Sequence, residues 1–157
     1  MSKIYNSKLI IADTSCLILL SKIEELELLK KLFKEIIITS EIVEEYGEPL
    51  PNWFIVESVV DRQKQIRFES QVDRGEASAI ALSFEIDNTL VILDDNKARK
   101  LAKKLEIAFT GTLGILIYAK LEGVIPSIKP ILEKIQQTNF RLSEELLNTA
   151  LREAKED

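Results

Sequence analysis

The chain has 157 residues, 46% of them hydrophobic and 30% charged, with a formal charge of −5. That length suits one compact domain with a sizeable core, that balance is globular, and no apolar run approaches the roughly 18 residues of a membrane span. There is one cysteine and no histidine, which excludes a disulfide framework, Ser-His-Asp and Cys-His catalysis, two-histidine RNA cleavage and nearly every zinc site.

Met1 to Ser7 is polar and lacks a leader pattern, so a cytoplasmic chain is expected, with no membrane partner. No Gly-x-x-x-x-Gly-Lys-Ser/Thr or Gly-x-Gly-x-x-Gly follows a strand. An enzyme of this composition must work through carboxylates, with a hard metal ion bound by oxygen. The acidic balance argues against a broad basic nucleic-acid surface, yet a carboxylate site adds negative charge that a divalent cation would offset locally.

The elements alternate. Lys8 to Ala12 is an apolar run ending in Asp13-Thr14-Ser15, and it reads as a buried parallel strand. Leu17 to Ser21 reads as a short helix and Glu24 to Lys34 as an amphipathic one. Ile36 to Ile38 is a second strand, with Thr39-Ser40 capping a helix over Glu41 to Tyr46. Gly47 to Pro51 is a loop, and Phe54 to Val59 a third strand. Asp61 to Gln71 is polar and predicts an exposed helix; Ala77, Ile80, Ala81 and Phe84 predict another from Gly75 to about Ile86. Thr89 to Leu93 is the clearest strand and ends in Asp94-Asp95. A basic helix over Asn96 to Leu105, a strand at Ile107 to Phe109 and an apolar helix over Leu113 to Leu121 follow. Two helices, Ile128 to Gln137 and Ser143 to Lys155, complete the chain. This pattern predicts one α/β domain over residues 1–157: a three-layer α/β/α sandwich on a parallel sheet of four to five strands, with the helices from about 127 packed on it or extending it.

In a parallel sheet the strand C-termini share one edge, where ligands bind. Asp13, Glu45, Glu76, Asp94 and Asp95 all fall at strand ends or in the helices that follow. Carboxylates crowded together oppose folding unless a cation compensates them, so a converging set predicts a metal site. Each also has a plainer role open to it. Asp13 can cap the following helix, as can Thr14 or Ser15. Glu45 can belong to an exposed acidic face with Glu41, Glu44 and Glu48. Glu76 stands three residues after Asp73, the spacing of a capping box, and one of Asp94 and Asp95 is expected to cap the next helix.

The joint pattern resembles the PIN domains, metal-dependent nucleases that include VapC-type toxins. Ile11-Ala12-Asp13-Thr14-Ser15 is similar to their opening motif. Phe33 to Ile38 followed by Val43-Glu44-Glu45-Tyr46 resembles the second, Arg74-Gly75-Glu76-Ala77 the third, and Leu90 to Leu93 with Asp94-Asp95-Asn96-Lys97-Ala98-Arg99 the fourth. Gly111-Thr112-Leu113-Gly114 is similar to a hallmark of one branch. The resemblance spans residues 8 to about 140 and departs from the commoner pattern in Glu76, where many members carry Asp, and in the Asp94-Asp95 doublet.

What the resemblance implies is a Mg2+- or Mn2+-dependent ribonuclease. Asp13, Glu76 and Asp94 or Asp95 would hold the ion, with Glu45 in the same acidic site. Thr14, Ser15 and Thr112 would support Asp13 or a phosphate, and Lys97, Arg99 and Lys100 would steer the RNA backbone. It further implies a homodimer and, for toxin members, a small antitoxin protein. A PIN-like module that binds RNA or protein without cutting is the competing expectation. A phosphorelay receiver would need its acidic pair after the first strand, and a haloacid-dehalogenase-type phosphatase an acid where Ser15 stands.

Overall fold

The computed structural model describes Tyr5 and residues 9–157. The reading of Met1 to Ser7, Tyr5 apart, and of Lys8 at the head of the first strand lies outside the described residues. Five strands, β1 (Leu9–Ala12), β2 (Ile36–Thr39), β3 (Phe54–Glu57), β4 (Thr89–Ile92) and β5 (Phe109–Thr110), form one sheet in the order β3-β2-β1-β4-β5. Every pairing is parallel, with Ile10 opposite Ile36 on one side of β1 and opposite Leu90 on the other. β2 and β4 are buried along their whole length, which is why they read as continuous apolar runs instead of alternating.

The helices are α1 (Thr14–Lys22), α2 (Glu27–Leu32), α3 (Ser40–Tyr46), α4 (Arg62–Phe68), α5 (Arg74–Ser83), α6 (Asn96–Lys104), α7 (Thr112–Leu121), α8 (Lys129–Gln136) and α9 (Glu144–Glu153). α5 packs across β1, β2 and β4 and against α6. On the side of α1 and α2, Tyr118 of α7 stacks on Tyr5 and Phe33, and Lys134 of α8 donates to the Ile23 carbonyl. The architecture is thus the three-layer α/β/α sandwich with a parallel sheet. One hydrophobic cluster joins the sheet to Ile128, Ile131, Leu132, Ile135, Ala150 and Ala154 of the last segments.

The strand order positions the site. From β1 the chain steps outward to β2 and β3, then returns past β1 to β4 and β5. The direction reverses between β1 and β4, and the crevice above such a reversal is where open α/β sheets bind ligands. Asp13 and Asp94 flank it.

Several boundaries differ from expectation. The predicted helix over Glu24 to Lys34 is only Glu27–Leu32: Glu24 takes a left-handed turn (φ 59), and Phe33 becomes extended, its ring in the stack with Tyr5 and Tyr118. Burial of that ring outweighs another turn of helix. The helix predicted to reach Ile86 stops at Ser83, because the chain must reverse through Asn88 (φ 62) to enter β4. The fifth strand lies at Phe109–Thr110 instead of Ile107 to Phe109, after a left-handed Glu106 (φ 59) ends the α6 segment. The third strand ends at Glu57, short of Val59. α4, expected to be exposed, buries Gln65 and Phe68 against its neighbours.

Candidate active site

Asp13 follows the last residue of β1 and occupies the N-cap position of α1, yet its side chain makes no capping hydrogen bond to that helix. It is 2% exposed. Burial, reinforced by the negative charges of Glu76, Asp73 and Glu45, pushes its carboxyl up to about 8, against a backbone hydrogen bond at Thr14 that favours the anion. A residue that simply capped a helix would be solvated or satisfied by amides. Asp13 is neither fully.

Glu45, in the last turn of α3, reaches across to two other elements. Its Oε1 accepts from the Thr14 hydroxyl at 2.7 Å and its Oε2 from the Gly75 N–H at 3.1 Å. This corrects two expectations: Glu45 is not simply part of a solvated acidic face, and the Thr14 hydroxyl supports Glu45, leaving only the Thr14 backbone to Asp13. A Cβ at Gly75 would meet the Glu45 carboxylate, so any larger residue there displaces that side chain from its present place. Glu76 sits one residue on, in the first turn of α5, and the expected capping box is present. The Asp73 carboxylate accepts from the Glu76 N–H at 2.8 Å while Glu76 Oε1 accepts from the Asp73 N–H at 3.2 Å. Glu76 is nonetheless buried, and burial with the charges of Asp73, Asp95 and Glu45 pushes its carboxyl up to about 7. Asp73 was missed as a member of this group. Its only signal in the sequence was the capping spacing, which gave it a sufficient role elsewhere.

The doublet divides its work. Asp95 caps α6, its Oδ2 accepting from Lys97 N–H at 2.9 Å and Ala98 N–H at 3.2 Å. Asp94 turns to the neighbouring strand end, where the Thr112 N–H and hydroxyl both donate to it, at 2.8 and 2.6 Å. Thr112 begins α7, so Asp94 lies at a helix N-terminus that favours its charge. Burial, with the charges of Asp94 and Asp13, raises the Cys16 thiol pKa against a hydrogen bond with Thr112 that lowers it. The charges of Glu76, Asp73 and Glu45 thus act on Asp13 and that of Asp95 on Glu76, while Asp94 is held at the neighbouring strand end by Thr112.

Of the three basic candidates, Lys97 and Lys100 are exposed. Arg99 is tied inward: it donates to the Leu93 carbonyl at 2.9 Å and lies 5.1 Å from the Phe109 ring centroid. Gly111 leaves room for it, since a Cβ would come within 2.5 Å of Arg99 Nη1 and 3.0 Å of Asp94 Oδ1. Ser15 is half-buried at the edge of a small cleft with Lys22, Asn139 and Phe140, and no described hydrogen bond links it to Asp13.

Among the described residues no three carboxylates are gathered closely enough to hold a metal ion between them. The donor set still suits a hard divalent cation. All donors are carboxylate oxygens, two are buried with raised proton affinity, and none of the five candidate acids forms an ion pair with a lysine or arginine among the described residues. Mg2+ takes only one or two carboxylates, completing its octahedron with water and substrate phosphate. Among the described residues no helix is long and apolar enough to cross a membrane.

Comparison with known proteins agrees with this geometry. No curated protein matches the chain. A family model described as PIN domain matches residues 9–156, from the first residue of β1 to the end of the last helical segment. Proteins with this domain are generally nucleases and typically use divalent metals. On that match, and on a parallel sheet with acids along its C-terminal edge, the chain belongs to the PIN-domain family.

Proposed function

We propose that this chain is a Mg2+- or Mn2+-dependent endoribonuclease. The observation that carries the reading is the pair Asp13 and Glu76: two buried carboxylates at one sheet edge, each pushed toward neutrality and neither paired with a cation. Such a pair has negative charge that a metal ion would stabilise: the Asp13 side chain makes no capping bond to α1, and Glu76 uses Oε1 on the Asp73 N–H, which leaves Oε2 for a cation. Asp13, Glu76 and Asp94 would hold the ion, while Asp95 caps α6. When bound, the ion supplies positive charge against the scissile phosphate and the Lewis acidity that makes hydroxide available near neutral pH.

The chain's own residues prepare this. Thr14 and the Gly75 N–H fix the Glu45 carboxylate, and Thr112 fixes Asp94, so these acids lose little freedom when substrate arrives. Lys97 and Lys100, on the exposed face of α6, attract the RNA backbone; Arg99 shapes the wall beside Asp94. Pairing of the chain with itself, or with a small antitoxin in a toxin pair, is part of the same proposal and rests on the family likeness alone.

One observation favours a second reading. Glu45, Asp94 and Asp95 already accept hydrogen bonds on both oxygens or at a helix terminus, as they would in a module that binds RNA without cutting it. The test is cleavage of labelled RNA by the purified protein with Mn2+, with Mg2+ and with EDTA, beside Asp13→Asn. Metal-dependent cleavage lost in the variant supports the nuclease; cleavage that survives both EDTA and the substitution overturns the mechanism. Binding without cleavage under every condition supports the second reading.

A further inference from the structure

A cleft of about 570 Å3 opens beside the acidic crevice and shares Asp94 and Thr112 with it. Its lining is apolar at Leu19, Leu113, Ile117 and Leu142 and polar at Asn96, Arg99 and Arg141, with Phe140 among them. The size lies within the range of small-ligand sites.

We propose that this cleft receives one unpaired nucleobase of the RNA strand whose phosphodiester lies at the acids. The proposal rests on the nuclease reading above. Charge decides the kind of ligand. The lining carries two arginines, Arg99 and Arg141, against two carboxylates, Asp94 and Glu153. With no net positive charge it is a poor home for a phosphate or another anion. The polar lining residues make it equally poor for a purely apolar ligand, which would strand those groups. A nucleobase has the matching character: flat apolar faces and an edge of donors and acceptors, read in single strands by stacking on aromatic rings and guanidinium planes. The arginines keep capacity for this. Each spends one described hydrogen bond on its own chain, Arg99 on the Leu93 carbonyl and Arg141 on the Thr138 carbonyl, out of five N–H donors. Adjacency fixes the register, because a strand crossing Asp94 places its next nucleotide over the cleft. A base held in a duplex cannot enter, so the proposal commits the enzyme to unpaired RNA.

The experiment uses fluorescein-labelled single-stranded hexaribonucleotides in Ca2+ buffer, read by anisotropy, with one abasic position walked along the strand. Removal of the base at one register should weaken binding about tenfold, and other registers should lose much less. Leu146→Trp, on the exposed lip of the cleft, and Arg141→Ala should each flatten that profile. Both positions are on the surface, and unchanged thermal unfolding checks the fold. A profile already flat in the unaltered protein, or one that neither variant changes, overturns the proposal. Addition of Mn2+ separates the two readings. Cleavage with a flat profile overturns the base site alone, whereas a peaked profile with RNA left intact overturns the nuclease alone.

Discussion

Asp13 has a measurable consequence that does not require knowing the substrate. Its carboxyl titrates near 8 in the folded chain and near 3.8 as a free group, so between these values the folded protein holds a proton that the unfolded chain releases. Its contribution to stability is complete below about pH 4 and falls as pH rises to about 8, by ~1.4 kcal/mol for each pH unit that the two states differ. In EDTA, the melting temperature should therefore fall from pH 5 to pH 8, and Asp13→Asn should remove much of that fall while abolishing cleavage. A variant that follows the parent's pH profile would contradict the burial of that charge. Gly75→Ala separates site from fold in another way. Alanine is the better helix former by about 1 kcal/mol, yet its Cβ collides with the Glu45 carboxylate. Cleavage should drop at least tenfold with a melting temperature lowered only slightly or not at all. Thr112→Val removes the hydroxyl that grips Asp94 at 2.6 Å. Loss of a charge-assisted bond predicts about 1.5–3 kcal/mol of stability in urea unfolding, together with weaker cleavage.

At the scale of elements, α3 and α4 are locked by a polar contact that the sequence did not announce. Glu41 is 1% exposed and its Oε2 accepts from Arg62 at 2.7 Å and from the Gln65 amide at 2.9 Å. Although burial alone would raise its pKa, the hydrogen bonds of Gln65, its own backbone and Ser40, with the Arg62 charge, lower it overall. Its contribution is therefore present above the usual glutamate range and lost as pH falls through it, opposite in sign to that of Asp13. Glu41→Ala should cost about 2–3 kcal/mol at pH 7, because the Arg62 guanidinium and the buried Gln65 amide both lose a charged acceptor and Gln65 keeps only Glu69, and less at pH 3; urea unfolding at both values checks this. The run from Asp61 to Gln71 looked solvated for a simple reason. A polar residue that is buried beside a matching partner carries the same letter as one facing water. Helix ends were misjudged likewise at Phe33 and Ser83, where a ring stack and a turn at Asn88 decide the boundary.

For the whole molecule, the excess of buried negative charge predicts stabilisation by the cation itself. A Mn2+ concentration equal to 100 times the dissociation constant at pH 8 should add about 2.7 kcal/mol there, and the same concentration should add less at pH 6, since the ion competes with protons on Asp13 and Glu76. Thermal unfolding with and without the ion measures it; no shift at either pH would remove the basis for metal binding. Much of this was legible beforehand. β-branched runs at Ile36 and Val91 required strands buried on both faces, and the absence of histidine left carboxylates as the means of catalysis. Periodicity and residue chemistry are local properties, and the chain carries them wherever it folds. Which acids face one another is not local. That Asp94 turns to Thr112 while Asp95 caps α6, that Asp73 joins Asp13 and Glu76, and that Arg99 points inward to Leu93 were decided by strand order and packing, because only these bring side chains distant in the chain within reach of one another.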